Sequence, residues 1–302
     1  MKQPRFINPF TDFGFKKLFG TEFNKDLLID FLNQVLGKRE QIKDLVYLNT
    51  ENQGQTEQER KSIFDLYCEN ERGEKFIIEV QNVYQKYFKD RSLYYATVPI
   101  REQAVKGGNW NYQLKAVYAV SLLNFSFPDQ LEQQRYLREV KLVDTATHEV
   151  FYDKLTFIYL EVDRFTKNIE ELETQFEKWL YLLKNLHTLE HIPNKFRDRI
   201  FAKLFNQAEI AKLTKKEMNA YEESQKVYWD NHAVMESAIE TGKEIGKEIG
   251  KEIGKEIGEE IGKEMGKEEE RLKIARAMKK KNLSADIIAE TTGLSKEQID
   301  AL

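Results

Sequence analysis

The chain has 302 residues, of which 41% are hydrophobic and 32% are charged, with only 5 Pro. This composition supports one well-packed core plus an appendage, and it excludes a chain that is disordered throughout. Lys and Arg number 47 against 51 Asp and Glu, which gives a formal net charge of −4. A whole-chain basic excess is therefore excluded, and any binding of nucleic acid must use a local patch.

The cysteine and histidine residues and the apolar segments narrow the class of protein further. The single cysteine, Cys68, excludes an intramolecular disulfide, and the four histidines are too scattered for a structural zinc site. A required metal is therefore expected to have oxygen ligands. The first ten residues lack the apolar core of a secretion signal, and no window has the length of apolar sequence that a membrane span needs. These features predict a soluble cytoplasmic protein.

The N-terminal third predicts a helix followed by strands. Apolar residues between Asp26 and Leu36 repeat with the spacing of one helical face. Three short runs rich in β-branched and aromatic residues then predict three strands: 45–49, 63–68 and 75–80. Between the second and third of these strands, the polar stretch 70–74 contains Gly73, which can take the positive φ of a hairpin loop.

The middle of the chain alternates between helix and strand patterns. Residues 85–106 predict a helix that is bent at Pro99 and ended by Gly107 and Gly108. Residues 115–125 are almost continuously apolar, which is typical of a strand covered on both faces. The remaining predicted elements are strands over 115–125, 136–143 and 155–162 and helices over 172–186 and 195–240.

From Glu240 onward, the sequence repeats Gly-Lys-Glu-Ile every four residues. Each Gly costs about 0.8–1 kcal/mol relative to Ala, so the repeat predicts a marginal helix that packing against a partner would stabilise. A four-residue period on a 3.6-residue helix drifts by about 40° per repeat, so the apolar stripe winds round the helix. The repeat is either a solvated spacer or a surface for self-association.

The C-terminal segment 268–302 predicts a helix over 268–280 and then two short helices. Ser284 and Ser295 are placed to cap the short helices, and Gly293 separates them. This order superficially resembles a helix-turn-helix, but Lys296 is the only cation after Lys281. The segment is therefore expected to be a packing or assembly module, with DNA reading as the alternative.

The most informative pattern is a pair of carboxylates on neighbouring predicted strands. Glu79 and Gln81 share a face because side chains alternate along a strand. A hairpin centred on 70–74 places Asp65 opposite Glu79, with Cβ atoms about 4.5–5.5 Å apart. Such carboxylates repel each other unless a proton or a cation lies between them. Asp65, Glu79 and the carbonyl of Val80 offer the oxygen ligands that Mg²⁺ prefers; solvated edge-strand carboxylates are the plain alternative.

A metal at this position would favour hydrolysis of a phosphodiester, because it acidifies water and shields the charge of a phosphorane. Gln81 would orient that water. Because an amide cannot take a proton as Lys can, the alternative is that Gln81 is merely a polar residue of the strand. Asp12 and Lys16 are secondary candidates for residues of this site. Thr11 or Asp12 is equally well placed to cap the helix that includes Lys16.

Four cations interleaved with tyrosines follow the carboxylate pair. Lys86, Lys89, Arg91 and Arg101 belong to the predicted helix that begins near residue 85. Cations placed there can contact the phosphates of DNA next to a metal. The same residues are also common on an ordinary amphipathic helix, so both interpretations stay open.

Asp65 with Glu79-Val-Gln81 resembles the metal site of the PD-(D/E)XK nuclease superfamily, with Gln in place of the usual Lys. The surrounding sequence resembles the Rpn branch, whose members are described as recombination-promoting nucleases or transposases. Similarity covers about 4–200. The segments that carry it are Asn8-Pro-Phe-Thr-Asp12-Phe-Gly-Phe-Lys16-Lys17-Leu-Phe-Gly, Leu27-Leu-Ile-Asp-Phe-Leu-Asn, Arg91-Ser-Leu-Tyr94-Tyr95, Gln103 with Lys106-Gly107, and Phe157-Ile-Tyr-Leu-Glu161-Val-Asp-Arg-Phe165.

The resemblance implies an α/β fold with a restriction-endonuclease-like core, in which helices flank a mixed central sheet. It also implies DNA cleavage that depends on Mg²⁺, with Mn²⁺ as a substitute. The expected partners are DNA and further copies of this chain, bound through the C-terminal tail. The predicted parts are a nuclease core (1–168), a helical region packed on it (169–241), the tetrapeptide repeat (242–267) and a terminal helical module (268–302).

Two other functions are compatible with the sequence. A catalytically inactive protein of the same fold would use the repetitive tail to assemble with partners. A transposase that moves its own DNA is suggested only by the family description, because no separate strand-transfer motif is present in the sequence.

Overall fold

The computed structural model describes residues 4–37, 41–52, 62–104, 111–128 and 135–302. Contacts between α-carbons divide the chain into two units, Met1–Met235 and Glu236–Leu302. The first unit is an α/β fold built on a mixed six-stranded sheet, as the sequence predicts. Among the described residues, no helix combines the length and the apolarity that crossing a lipid bilayer requires.

The strands of the first unit form one large and one small sheet. The large sheet has the order β1-β4-β5-β6-β8-β7, and β2 pairs with β3 in the small one. The central pairs β5–β6 and β6–β8 are parallel, whereas the flanking pairs are antiparallel. The strands are β1 (Leu45–Tyr47), β2 (Glu51–Asn52), β3 (Ser62–Ile63), β4 (Leu66–Asn70), β5 (Lys75–Gln81), β6 (Val117–Leu123), β7 (Leu137–Val143) and β8 (Val150–Glu161).

Helices cover both faces of the large sheet. On one face, side chains of β5, β6 and β8 pack with α1, α2, α4 and α5; on the other face they pack with α3. Every residue of β6 is buried, which explains its unbroken apolar sequence. The helices are α1 (Asp12–Phe19), α2 (Lys25–Leu36), α3 (Phe88–Glu102), α4 (Gln175–Asn185), α5 (Arg199–Ala208), α6 (Lys215–Lys280), α7 (Ala285–Thr292) and α8 (Lys296–Asp300).

The hairpin between β4 and β5 has the predicted register. Gly73 has φ +79°, and Leu66 pairs with Ile78. The predicted strand 63–68 is wrong in one respect, because it divides into β3 and β4, and Asp65 lies at a bend just before β4. The predicted bend position Pro99 lies inside α3. The predicted helix end at Gly107 and Gly108, and the neighbouring Lys106, lie outside the described residues.

The outer strand β7 has a charged and irregular edge. It carries Arg138, Glu139 and Lys141, and its register with β8 shifts on both sides of Leu142. At its other end, the buried carboxylate of Glu161 accepts hydrogen bonds from Arg138 and from the Nε of Arg164, the latter at 2.7 Å. The Arg138–Glu161 ion pair therefore holds the start of β7 to the end of β8, whereas the Arg164–Glu161 pair joins the end of β8 to the residues just after it.

The second unit contains the end of the 66-residue helix α6 followed by α7 and α8. Its buried cluster consists of Ala275, Ile288, Leu294 and Ile299. Gly293 takes the left-handed conformation with φ 72°, and the Ser295 hydroxyl accepts a hydrogen bond from the backbone N–H of Gln298. The repeat is helical throughout, and its five isoleucines, at 245, 249, 253, 257 and 261, are each about half exposed.

Candidate metal centre

Asp65 is positioned by the end of the neighbouring strand. Its Oδ2 accepts a hydrogen bond of 2.6 Å from the backbone N–H of Val80. The Asp65 side chain thus takes the place of a backbone carbonyl as the partner of the Val80 N–H, which is the physical reason that the predicted strand breaks at Asp65. The same bond fixes the Asp65 carboxylate beside the segment that carries Glu79.

Glu79 lies near the end of β5, with only 13% of its side chain exposed. Its Oε1 is buried and has no hydrogen-bond partner among the described residues. Burial and, after it, the nearby charge of Asp65 raise the pKa of Glu79 to about 8. Burial also raises the pKa of Asp65, with Asp12 adding to the increase and the Val80 hydrogen bond opposing it. Two carboxyl groups therefore share one poorly solvated place.

Gln81 and Arg91 form a hydrogen-bonded pair beside Glu79. Arg91 Nη2 donates to Gln81 Oε1 at 2.7 Å and lies 3.7 Å from Glu79 Oε2. Gln81 Nε2 in turn donates to the carbonyl of Val83 at 3.0 Å. Both ends of the Gln81 amide are thus engaged within the chain, so Gln81 can orient a water only when one of these bonds opens.

Helix α1 lies against the same end of the sheet. Asn82 Nδ2 donates to the carbonyl of Phe10 at 2.7 Å, which ties the segment before α1 to the residue after β5. The Thr11 hydroxyl caps the helix by accepting from the N–H of Gly14. Asp12 therefore lies in the first turn, where its carboxylate pairs with Lys16 Nζ at 2.7 Å. The charges of Asp12 and Lys16 both act on Asp65.

The four predicted phosphate contacts do not form one cluster. Arg91 reaches Glu79 from the first turn of α3, and it lines a shallow groove with Lys86. The exposed Lys89 lies over the ring of Phe127, 4.8 Å from its centre. Arg101 is in the last turn of α3, about 15 Å along the helix axis from Arg91.

Sequence reasoning missed the side chains that hold Arg91 in place. Arg91 Nη1 donates to Gln85 Oε1 at 2.8 Å. The guanidinium also lies 5.1 Å from the ring centre of Phe88 and 5.6 Å from that of Tyr95. The alternation of cations and aromatics in the sequence was the available signal, but it does not reveal which ring contacts which cation.

The donor set is small but suits Mg²⁺. Among the described residues, no group of three or more His, Cys, Asp or Glu side chains is placed to hold a metal ion. Mg²⁺, however, keeps several waters and commonly uses one or two carboxylates together with substrate phosphate. A bound metal ion, as a second cation beside Arg91, would relieve the repulsion between Asp65 and Glu79. Glu79 Oε1, which has no hydrogen-bond partner among the described residues, would be available as its ligand. The residues present therefore fit a hard divalent ion.

A mixed sheet that brings Asp65 and Glu79-Val-Gln81 together between flanking helices has the architecture of a PD-(D/E)XK nuclease core. The family model described as PD-(D/E)XK nuclease family transposase matches residues 9–238. The chain belongs to this family, which implies a nuclease-like or transposase-like function with DNA as the substrate. Comparison with the curated proteins and with the solved structures gave no match.

Proposed function

We propose that this protein is a DNA endonuclease that hydrolyses phosphodiester bonds and depends on Mg²⁺, with Mn²⁺ as a substitute. One observation carries the proposal: Asp65 and Glu79 share a buried place in which Glu79 Oε1 has no described partner. Ionisation of both carboxyl groups in this buried place is unfavourable unless a cation binds between them. Family membership supports the same chemistry.

Asp65, Glu79 and the backbone carbonyl of Val80 would hold the metal. A bound Mg²⁺ would supply Lewis acidity and lower the pKa of water. Gln81 would orient the attacking water after releasing Arg91 or the carbonyl of Val83. In the reaction, the water oxygen bonds to phosphorus and the bond to the leaving sugar oxygen breaks. The proton of the attacking water passes to solvent, and the leaving oxygen takes a proton from solvent.

The DNA backbone would lie along the start of α3. Arg91 is nearest to the carboxylates, and Lys86 lines the adjoining groove. Lys89 would contact a phosphate from the same end of α3 as Arg91. Arg101 would contact one farther along the duplex, since it lies about 15 Å from Arg91 along the helix. Phosphate contacts of this kind hold the DNA in register without reading its sequence.

We also infer that the protein assembles as a dimer or higher oligomer through its tail. The five isoleucines of the repeat expose about half of their surface, and an apolar stripe of this length favours a partner helix. Two active sites would allow both strands of a duplex to be cut. Replacing Ile249 and Ile253 with Lys is expected to yield a monomer by analytical ultracentrifugation. That variant should still nick one strand, and an unchanged sedimentation coefficient would contradict the assembly.

The finer boundaries within the chain remain predictions. They are a core ending near residue 168, a helical region to 241, a repeat over 242–267 and a terminal module over 268–302. Because α6 runs unbroken from Lys215 to Lys280, the last three parts share one helix.

Calorimetric titration of Mg²⁺ or Mn²⁺, followed by plasmid nicking with the same samples, tests the proposed reaction. Wild-type protein is expected to bind the metal and nick DNA, and Asp65→Ala is expected to lose both. Asp153→Ala removes an exposed carboxylate on β8 and serves as the matched control.

Two outcomes would overturn the reaction. One is cleavage by Asp65→Ala or Glu79→Ala at the wild-type rate and equal metal concentration. The other is a wild-type protein that neither binds metal nor nicks DNA. The second outcome would favour the alternative function, an inactive member of the family that acts through its tail.

A further inference from the structure

The shallow groove at the start of α3 is lined by exposed aromatic rings as well as by cations. Its volume is about 500 Å³. Its lining residues are Gln85, Lys86, Tyr87, Asp90, Arg91 and Tyr94. Arg91 belongs both to this lining and to the candidate metal centre, since its Nη2 lies 3.7 Å from Glu79 Oε2. The groove therefore adjoins Glu79.

The aromatic side chains of this segment divide into an inward and an outward group. Phe88 is buried, and the ring centre of Tyr95 lies 5.4 Å from that of Phe64. Tyr87 and Tyr94, in contrast, are 66% and 45% exposed. Packing in the core therefore accounts for the first group and leaves the second without a role in the fold. Tyrosines that stay exposed together beside a candidate site are typical of a binding surface.

The two exposed tyrosines lie on the same face of the helix as Arg91. The spacing of Tyr87, Arg91 and Tyr94 is i, i+4 and i+7, which places them in one row. Tyr87 and Tyr94 are about 10 Å apart along the axis. Stacked bases of a DNA strand are about 3.4 Å apart, so the row spans about three nucleotides.

Each exposed ring is held by one neighbour within the chain. Lys86 Nζ lies 5.3 Å from the ring centre of Tyr87. The ring centre of Tyr95 lies 6.3 Å from that of Tyr94, with the two planes inclined at 49°. The rings are thus supported at their positions and still expose a large part of their surface, which limits the entropy lost when a ligand stacks on them.

This combination of groups suits a DNA strand with unpaired bases. Aromatic rings bind single strands by stacking, which accepts any base, while cations contact the phosphates between the bases. Lys86 is placed for such a phosphate contact next to Tyr87. In a duplex, each base is already stacked on its neighbours and presents only its edges in the grooves. A tyrosine ring can therefore stack on a base only where the duplex is open.

We propose that Tyr87 and Tyr94 stack on unpaired bases, so that the substrate class of the metal centre is DNA with a few unpaired nucleotides at the cleaved position. The inference rests on the proposed nuclease function. Arg91 lies between the two tyrosines along the helix and beside Glu79, so a strand stacked on the rings brings its phosphates to the metal. Negatively supercoiled plasmid belongs to this class, because its torsional stress favours local unpairing.

The first test compares two DNAs of the same length, a perfect duplex and a bubble in which a short central run is mismatched. Both carry the same number of phosphates, so charge alone does not favour either one. Wild-type protein is expected to cleave the bubble with a kcat/KM about tenfold or more above that for the duplex.

A pair of variants assigns this preference to the rings. In the double variant Tyr87→Ala with Tyr94→Ala, the ratio of the two kcat/KM values is expected to fall to within about threefold of one. Leu93→Ala is the matched control, because Leu93 is 54% exposed on the same helix but does not line the groove. It should keep the wild-type ratio. The double variant Tyr87→Phe with Tyr94→Phe should also keep it, because stacking uses the ring and not the hydroxyl. Thermal melting checks that all variants fold.

A second test detects stacking without cleavage. Tyr94→Trp places an indole in the groove, and a single-stranded oligonucleotide added without metal is expected to quench its fluorescence. A duplex of the same sequence should quench it at least about tenfold more weakly at equal concentration. Wild-type protein, which has 3 Trp, gives the background signal.

The outcomes separate this inference from the proposed function. Equal cleavage of bubble and duplex by wild type would refute the stacking surface while the nuclease stands. A preference that survives the double Ala variant, or that is lost in the double Phe variant, would also refute it. Quenching of Tyr94→Trp by unpaired DNA in a protein that cleaves neither DNA would support the stacking surface and overturn the nuclease.

Discussion

The two units contain similar apolar residues but use them differently. In the first unit, the apolar side chains of α1, α2, α4 and α5 pack with the sheet in one buried cluster. In the second unit, the isoleucines of the repeat remain about half exposed, and the buried cluster is confined to the last turns of α6 and the two short helices. The number of apolar residues therefore does not decide burial; their period and the presence of a facing element do.

The largest expected difference between the units is the cost of removing one large side chain. Trp179 is fully buried in the first unit, and its Nε1 donates to Asp30 at 2.6 Å. Trp179→Ala is expected to lower the free energy of unfolding by about 3–5 kcal/mol, measured by urea denaturation. Ile253→Ala should change the free energy of unfolding of a single subunit, in which the stripe is exposed, by less than about 0.5 kcal/mol. A loss that grows with protein concentration would show that a partner helix covers the stripe, as the proposed assembly requires.

The carboxylate pair should make the first unit sensitive to pH. The folded pKa of Glu79, about 8, lies above its ordinary value of 4.5, so the stabilisation from binding the proton is complete below pH 4.5. It is lost as the pH rises through about 8. Without metal, the free energy of unfolding is expected to be lower at pH 8.5 than at pH 5 by on the order of 3 kcal/mol.

Denaturation at the two pH values, with and without Mg²⁺, checks this dependence. Glu79→Gln has no proton to lose and should flatten the pH profile. Mg²⁺ should stabilise the wild type more at pH 8.5, because the ionised carboxylates bind it. A profile that is unchanged in Glu79→Gln would show that other groups cause the dependence.

Glycine substitutions sharpen the contrast within the second unit. A Cβ added at Gly250 or Gly254 meets no other atom within 4 Å. Replacing each with Ala is therefore expected to stabilise the helix by about 0.8–1 kcal/mol per site, seen as a higher melting midpoint in circular dichroism. If instead the variants dissociate in the ultracentrifuge, copies of the helix approach each other across the glycines, and the added methyl groups separate them.

The smallest expected effect concerns the terminal module. Ser295 and Gln298 form a capping box at the start of α8. Ser295→Ala is expected to destabilise this module by about 1 kcal/mol or less, measured by hydrogen exchange of the amides in α8. Thr11→Ala is the counterpart in the first unit. Its effect should be larger, because the Thr11 hydroxyl is buried and also donates to the carbonyl of Asn8.

Much of the fold follows from local patterns in the sequence. Gly73 and the polar loop around it predict the hairpin, and its register places Leu66 opposite Ile78. The fully buried strand β6 follows from its unbroken apolar run. These features are predictable because period and turn chemistry act between residues that are close in the chain.

Contacts across the fold are harder to predict. The break at Asp65 depends on a hydrogen bond to Val80, fifteen residues away. The capture of Gln81 by Arg91 depends on the packing of α3 against β5, and no periodicity encodes which side-chain rotamers meet. The roles of Asp65, Glu79 and Gln81 remain predictions until metal binding and cleavage are measured.

The charged edge of β7 has a consequence for the behaviour of the protein in concentrated solution. No described strand lies beyond β7, so its outer backbone groups could pair with a strand of another molecule. Glu139 and Lys141 and the shifted register around Leu142 make that edge unfavourable for strand addition. Leu142, Val143 and Phe151 are exposed close by, and they would promote aggregation on a flat, uncharged edge. The charges therefore act as gatekeepers that stop the sheet from growing between molecules.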